Sequence, residues 1–158
     1  MEEIKINAIL NHIKSLKELK KLNILKNKKD FNSQLGEWII SILYNGEIAK
    51  NGKQKDWDLL IDNKKAQVKC HSKAITSLRK DTDFKYTEIA EIDIFFIIIF
   101  DEYYNLETIY KIPFKEALKL KTKTKYPVIR WNDIDEKYIV DLKKEFLQKK
   151  ILMNFLKD

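Results

Sequence analysis

Residues 95–100, Phe-Phe-Ile-Ile-Ile-Phe, constrain this chain more than any other segment. A run with no polar relief on either face must be covered on both sides, which predicts a buried central strand within Ile92 to Phe100. Segments of helical period lie before and after it, so the fold class is α/β, a mixed sheet flanked by helices. At 158 residues and 44% apolar side chains, the chain is long enough for one domain burying roughly two-thirds of its unfolded surface. It is too short for two. No repeat or linker divides it, and its only prolines, Pro113 and Pro127, come too late to mark a boundary. Within the single domain 1–158 we distinguish an N-terminal helical part (1–30), a core (31–120) and a C-terminal helix (133–156).

Ile6, Ile9, Ile13 and Leu16 fall at helical spacing and predict an amphipathic helix over 3–22, ended near Asn23. Asn32 or Ser33 caps a second helix to about Tyr44, with Leu35, Trp38, Ile39, Ile42 and Leu43 as its apolar stripe and Glu37 opposite. Asn45-Gly46 stops it. The period then changes to two: Trp57–Ile61 and Lys65–His71 read as a hairpin turned at Asp62-Asn63-Lys64. Residues 72–91 are polar and read as loop followed by a short helix. After the central strand, Asp101–Asn105 turns the chain into a partner strand, Leu106–Ile112, and Pro113 opens a brief helix to Leu118. Asp133 caps the final helix to about Leu156, with Tyr138, Leu142, Phe146, Met153 and Leu156 on its main apolar face. A second ridge, Val140, Leu147 and Ile151, predicts either two-fold pairing with another copy or cover by the N-terminal helix.

The excess of 31 basic over 24 acidic side chains, +7, points to an anionic partner. Only Arg79 and Arg130 are arginines, so lysine count reflects compositional preference as well as function. One cysteine, Cys70, excludes an intramolecular disulfide, and one Cys with two His cannot form a usual structural zinc site. A reducing, cytoplasmic setting is expected. Glu2 and Glu3 stand where a secretory signal would be basic, and no apolar run approaches the roughly 20 residues of a membrane span.

The hairpin carries the chemistry. Eight residues separate Asp58 from Gln67, Lys69 follows two further on, and the period of two puts Gln67 and Lys69 on one face. A carboxylate and an amide carbonyl are hard oxygen ligands suited to Mg2+, and an adjacent ammonium can orient a metal-bound water and offset phosphoryl charge. That set suits phosphodiester hydrolysis. Asp56 would face away from Asp58 on a regular strand and reads as a strand-entry residue. Cys70 faces the other way as a small core residue. His71 shares the face of Gln67 and Lys69 and could touch the scissile phosphate, but a lone His at a strand end reads more readily as a hydrogen-bonded bystander, and it stays outside the catalytic set.

Gly36-Glu37 on a helix, Lys55-Asp56-Trp57-Asp58, Gln67-Val68-Lys69 and then an apolar strand together resemble the PD-(D/E)xK nuclease superfamily, in a D-x8-Q-x-K variant, over roughly residues 33–112. That superfamily includes restriction endonucleases, Holliday-junction resolvases and Mrr-like enzymes. The resemblance implies a restriction-endonuclease-like mixed sheet, with Asp58 and Gln67 as metal ligands for Mg2+ (Mn2+ as the alternative). It implies Lys69 as the catalytic lysine and Glu37 as the auxiliary acidic residue. Gln67 departs from the commoner Glu or Asp and removes one negative charge from the site; the Mrr-like branch is similar in carrying Gln there.

Lys73, Arg79 and Lys80 follow the hairpin as candidate DNA contacts, Arg79 being able to grip a guanine edge with two bonds. Lys119, Lys121, Lys123 and Lys125 alternate and either track a phosphate backbone or form a solvated loop, with Lys121 and Lys123 the central pair. Arg130 beside Trp131 suits stacking or structural pairing. The expected activity is a Mg2+-dependent endonuclease acting on double-stranded DNA, foremost a small homodimeric type II restriction enzyme. A structure-selective resolvase or Mrr-like repair nuclease is the second form. A catalytically inactive nucleic-acid-binding or assembly module on the same fold is the alternative of a different class.

Overall fold

The structure is a computed structural model and describes residues 2–25, 31–49, 56–72 and 79–156. Helix α1 (Glu2–Lys21) and helix α2 (Phe31–Tyr44) lead into β1 (Glu47–Ile48), β2 (Leu59–Ile61), β3 (Lys64–Ser72), β4 (Asp81–Asp83), β5 (Ile94–Phe100) and β6 (Leu106–Pro113). Helix α3 (Phe114–Leu120), β7 (Val128–Arg130) and helix α4 (Leu142–Leu147) complete the chain, with 3-10 turns at Trp131–Asp133, Glu136–Tyr138 and Lys150–Phe155. Among the described residues no helix is long and apolar enough to cross a membrane.

Five strands form one mixed sheet in the order β1-β2-β3-β5-β6; β3 and β5 run parallel and the other neighbours antiparallel. The expected central strand is β5, buried from Phe95 to Phe100 because both its faces are covered. One face holds Ala66, Val68, Phe96, Ile98 and Phe100 against α2, Phe146 and Leu152. The other holds Phe95, Ile97, Ile99 and Ile112 against Phe84, Phe114, Ile129 and Trp131. Phe114 comes from α3, Trp131 from the turn after β7, and Ile129 from a second, two-stranded sheet in which β4 pairs with β7, with Phe84 directly after β4.

Local chemistry explains the ends of elements. Asn23 (φ 58°) and Asn45 (φ 51°) close α1 and α2 in the left-handed region that asparagine tolerates. The hairpin turn is tighter than its sequence suggests: Asp62 (φ 48°) and Asn63 (φ 62°) alone make it, the geometry of a type I′ turn, and Lys64 already belongs to β3. Helix α2 begins at Phe31, so Asn32 and Ser33 lie inside its first turn and do not precede it as caps. Pro113 ends β6 and stands just before α3.

Four segments differ from what the sequence predicts. Residues 47–48, 81–83 and 128–130 are strands, all too short to show a period. The continuous helix expected over 133–156 is broken into 3-10 turns and the six-residue α4, which Asp141 caps through the Lys144 amide. Tertiary pairing prevails there: the Val140 amide donates to the Ile109 carbonyl at 2.9 Å and Ile139 bridges Tyr110, so β-branched residues extend along β6 instead of winding. Of the expected ridge, Val140 packs on the core while Leu147 and Ile151 are exposed. Ile4, Ile6, Leu10 and Ile13 of α1 are exposed as well, so α1 does not cover that ridge; the Ile9 side chain lies outside the described set.

Candidate active site

Strand β3 outruns β2. The β2 ladder ends at Leu59 opposite Ala66, so beyond this point one edge of β3 has no strand partner among the described residues, and Asp58 stands at the gap. Its backbone amide still donates to the Ala66 carbonyl at 2.8 Å, and its side chain takes over the ladder: Oδ2 accepts the Val68 amide at 2.8 Å. Gln67 Nε2 donates to the same oxygen at 2.5 Å and to the Val68 carbonyl at 3.2 Å. The carboxylate is thus oriented by the strand edge itself.

Pleating does the rest. Gln67, Lys69 and His71 sit level with Phe95, Ile97 and Ile99 of β5, on the sheet face opposite α2. Asp58, Gln67 and Lys69 are therefore brought together as expected. Burial raises the Asp58 pKa, opposed by the Val68 amide, the Lys69 charge and the Gln67 amide. Lys69 Nζ lies 5.7 Å from the centroid of the Tyr86 ring. Burial, followed by the charges of Asp58 and Asp56, pushes the Tyr86 phenol far above its ordinary value, so it stays a neutral wall of the site.

A cavity of about 390 Å³ opens beside Lys69, walled by Ser33, His71, Thr82, Lys85 and Tyr86 among others. Ser33 reaches it from α2. Glu37 is half-buried one turn beyond Ser33, on the helix whose Gly36 touches Cys70. Cys70, as expected, faces α2.

The candidate DNA contacts are scattered. Lys73 lies outside the described residues. Arg79 grips Asp81 at 2.5 Å and Asp83 at 2.6 Å, so its guanidinium is engaged within the protein. Lys80 is exposed, its carbonyl accepting the Trp131 amide at 3.0 Å. Lys121 donates to the Tyr86 carbonyl at 2.9 Å, which ties the lysine-rich loop to the wall of the site, while Lys123 is exposed. Thr82, Lys85, Tyr86 and Trp131 escaped the reading of the sequence, because β4 and β7 carry no periodic signal and are joined only in three dimensions.

The donor set can be tested against a divalent cation. Among the described residues no three His, Cys, Asp or Glu side chains gather to hold a metal. Mg2+ does not require them, since it keeps several waters and takes one or two carboxylates with substrate phosphate oxygens. Among the described residues both donors to the Asp58 side chain converge on Oδ2, which leaves Oδ1 for a cation, and the Gln67 carbonyl is the second hard oxygen. The fit is adequate for Mg2+ with substrate and thin for a tightly held resident ion. No protein-family model matches this sequence, and no curated protein matches it.

Proposed function

We propose that this chain is a Mg2+-dependent DNA endonuclease with a restriction-endonuclease-like core of the PD-(D/E)xK kind, foremost a small type II restriction enzyme acting as a homodimer. The observation that carries this reading is the Asp58–Gln67–Lys69 constellation at the open edge of β3, where a carboxylate fixed by a strand amide faces a lysine across one pleat.

Asp58 and the Gln67 carbonyl would hold the cation, which when bound supplies charge neutralisation at the phosphoryl oxygens and a more acidic water. Asp58 is positioned for this without further rearrangement of the backbone, since Val68 pins one of its oxygens. Lys69, shielded on one side by Tyr86, would orient the attacking water and add positive charge beside the phosphoryl oxygens, where negative charge builds as phosphorus becomes pentacoordinate. Dimerisation would present one site to each antiparallel strand, and the exposed Leu147 and Ile151 offer apolar surface for it.

A second reading draws on a specific feature: the Gln67 N–H, not its carbonyl, is turned to Asp58 Oδ2, so that a hydrogen bond stands between the two groups a shared cation would join. It would make the chain a nucleic-acid-binding module. Incubation of the protein with plasmid and with branched DNA in Mg2+ separates the possibilities. Discrete fragments support the restriction reading, cutting of branched DNA alone supports a resolvase or repair nuclease, and retention without cutting supports the module.

A further inference from the structure

His71 is held by a directed chain of hydrogen bonds. Trp131 Nε1, which can only donate, gives its hydrogen to Thr82 Oγ1 at 2.8 Å. Thr82 Oγ1 lies 2.9 Å from His71 Nε2. Thr82 is 1% exposed, so its own hydroxyl hydrogen must find an acceptor inside the protein or remain an uncompensated buried donor. His71 Nε2 is the acceptor within reach. The neutral ring then carries its proton on Nδ1. Trp131 also packs edge-on against the imidazole, centroids 5.1 Å apart at 62°, which steadies its plane.

The second nitrogen is left for a ligand. Asn32 Oδ1 is the one buried side-chain N or O atom without a partner among the described residues. Among the described residues Nδ1 has no hydrogen-bond partner and is not a sealed-in atom; it belongs to a residue that walls the cavity beside Lys69. That cavity is also lined by Lys69 and Lys85, while its carboxylate, Asp83, is neutralised by Arg79. Cations and a neutral N–H donor in a polar cleft of this size suit a phosphate group.

We propose that His71, through a Nδ1–H tautomer enforced by Trp131 and Thr82, donates a hydrogen bond to a phosphate of the bound strand seated in this cavity, adjacent to the phosphate that Lys69 serves. This subsite rests on the nuclease reading for its ligand but on its own geometry for its chemistry. Burial and the nearby Arg79 lower the His71 pKa, in keeping with a neutral ring.

The test is nitrogen-detected NMR of the histidine rings, simple here because His12 is the only other histidine. The proposal expects a neutral Nδ1–H tautomer for His71 at neutral pH, and displacement of its ring signals, with His12 unmoved, by inorganic phosphate and by a short DNA duplex. His71→Asn, whose amide N–H replaces Nδ1–H, should retain duplex affinity; His71→Gln, whose amide reaches toward Nε2, should lose about tenfold, the worth of a hydrogen bond to a charged group. A Nε2–H tautomer overturns the proposal without any variant. A response to free phosphate with none to duplex overturns the strand assignment. Cleavage of DNA in Mg2+ with a His71 ring silent to both probes removes the subsite alone, whereas a duplex response without cleavage upholds the subsite and removes the nuclease reading.

Discussion

Gln67 donates its amide hydrogen to Asp58 at 2.5 Å, and both side chains are fixed to the same strand edge by the Val68 peptide. Replacing this amide by a carboxylate sets two negative charges against each other wherever no cation separates them. The variant Gln67→Glu should therefore melt below the native protein in chelator, by about 2–4 °C for each kcal/mol lost. Mg2+ should raise its melting temperature more than that of the native chain, because the variant supplies the commoner ligand. Equal responses of the two proteins to Mg2+ would show that residue 67 does not face the cation.

The close approach of α2 to β3 makes a second prediction. A Cβ built on Gly36 would lie 2.0 Å from Cys70 Sγ and 3.0 Å from Ile98 Cδ1. Gly36→Ala should cost about 1–3 kcal/mol through overpacking, and Cys70→Ala should relieve part of it in the double variant. Chemical denaturation of the four proteins measures the coupling; strict additivity would place the contact elsewhere.

Acid should weaken the fold through His71. Burial and the charges of Arg79 and Lys69 lower its pKa, against the opposing pull of Asp81 and Asp83. A basic group that binds its proton less well when folded contributes stability above its ordinary value of 6.5, and that contribution is lost as pH falls through the lower folded value. Stability measured across this acidic range should fall more steeply for the native protein than for His71→Asn. Parallel profiles would remove His71 as the cause.

Binding to DNA should fall with salt by about one power of concentration for each phosphate contacted. Lys121 is committed to the Tyr86 carbonyl, whereas Lys123 is exposed beside it. Lys123→Ala should lower the salt slope by about one and leave the melting temperature in place, while Lys121→Ala should lower the melting temperature. A reversal of these two effects would exchange their roles.

What could be read from the sequence follows from the range of the interactions involved. Phe95–Phe100 announced a strand covered on both faces, and the Asp62-Asn63 turn fixed the register that sets Asp58 across from Gln67. Both signals are local. The helix expected over 133–156 failed because residues 139–140 join β6, some thirty residues earlier, and this outweighs a helical apolar pattern. Thr82 and Trp131 meet across 49 positions, between strands of three residues each or the turn beside them, so the chain that orients His71 had no local signature. The sequence therefore disclosed the catalytic candidates but not the wall they face.

The central claim is that Asp58 and Lys69 act on a phosphodiester, and cleavage of plasmid DNA in Mg2+ by the native protein, Asp58→Ala and Lys69→Ala tests it most directly. The account predicts fragments from the native protein and none in chelator. It predicts a loss of at least about a hundredfold in each variant, with duplex binding retained. Undiminished cleavage by folded Asp58→Ala, or no cleavage of any DNA form by the native protein, would contradict it.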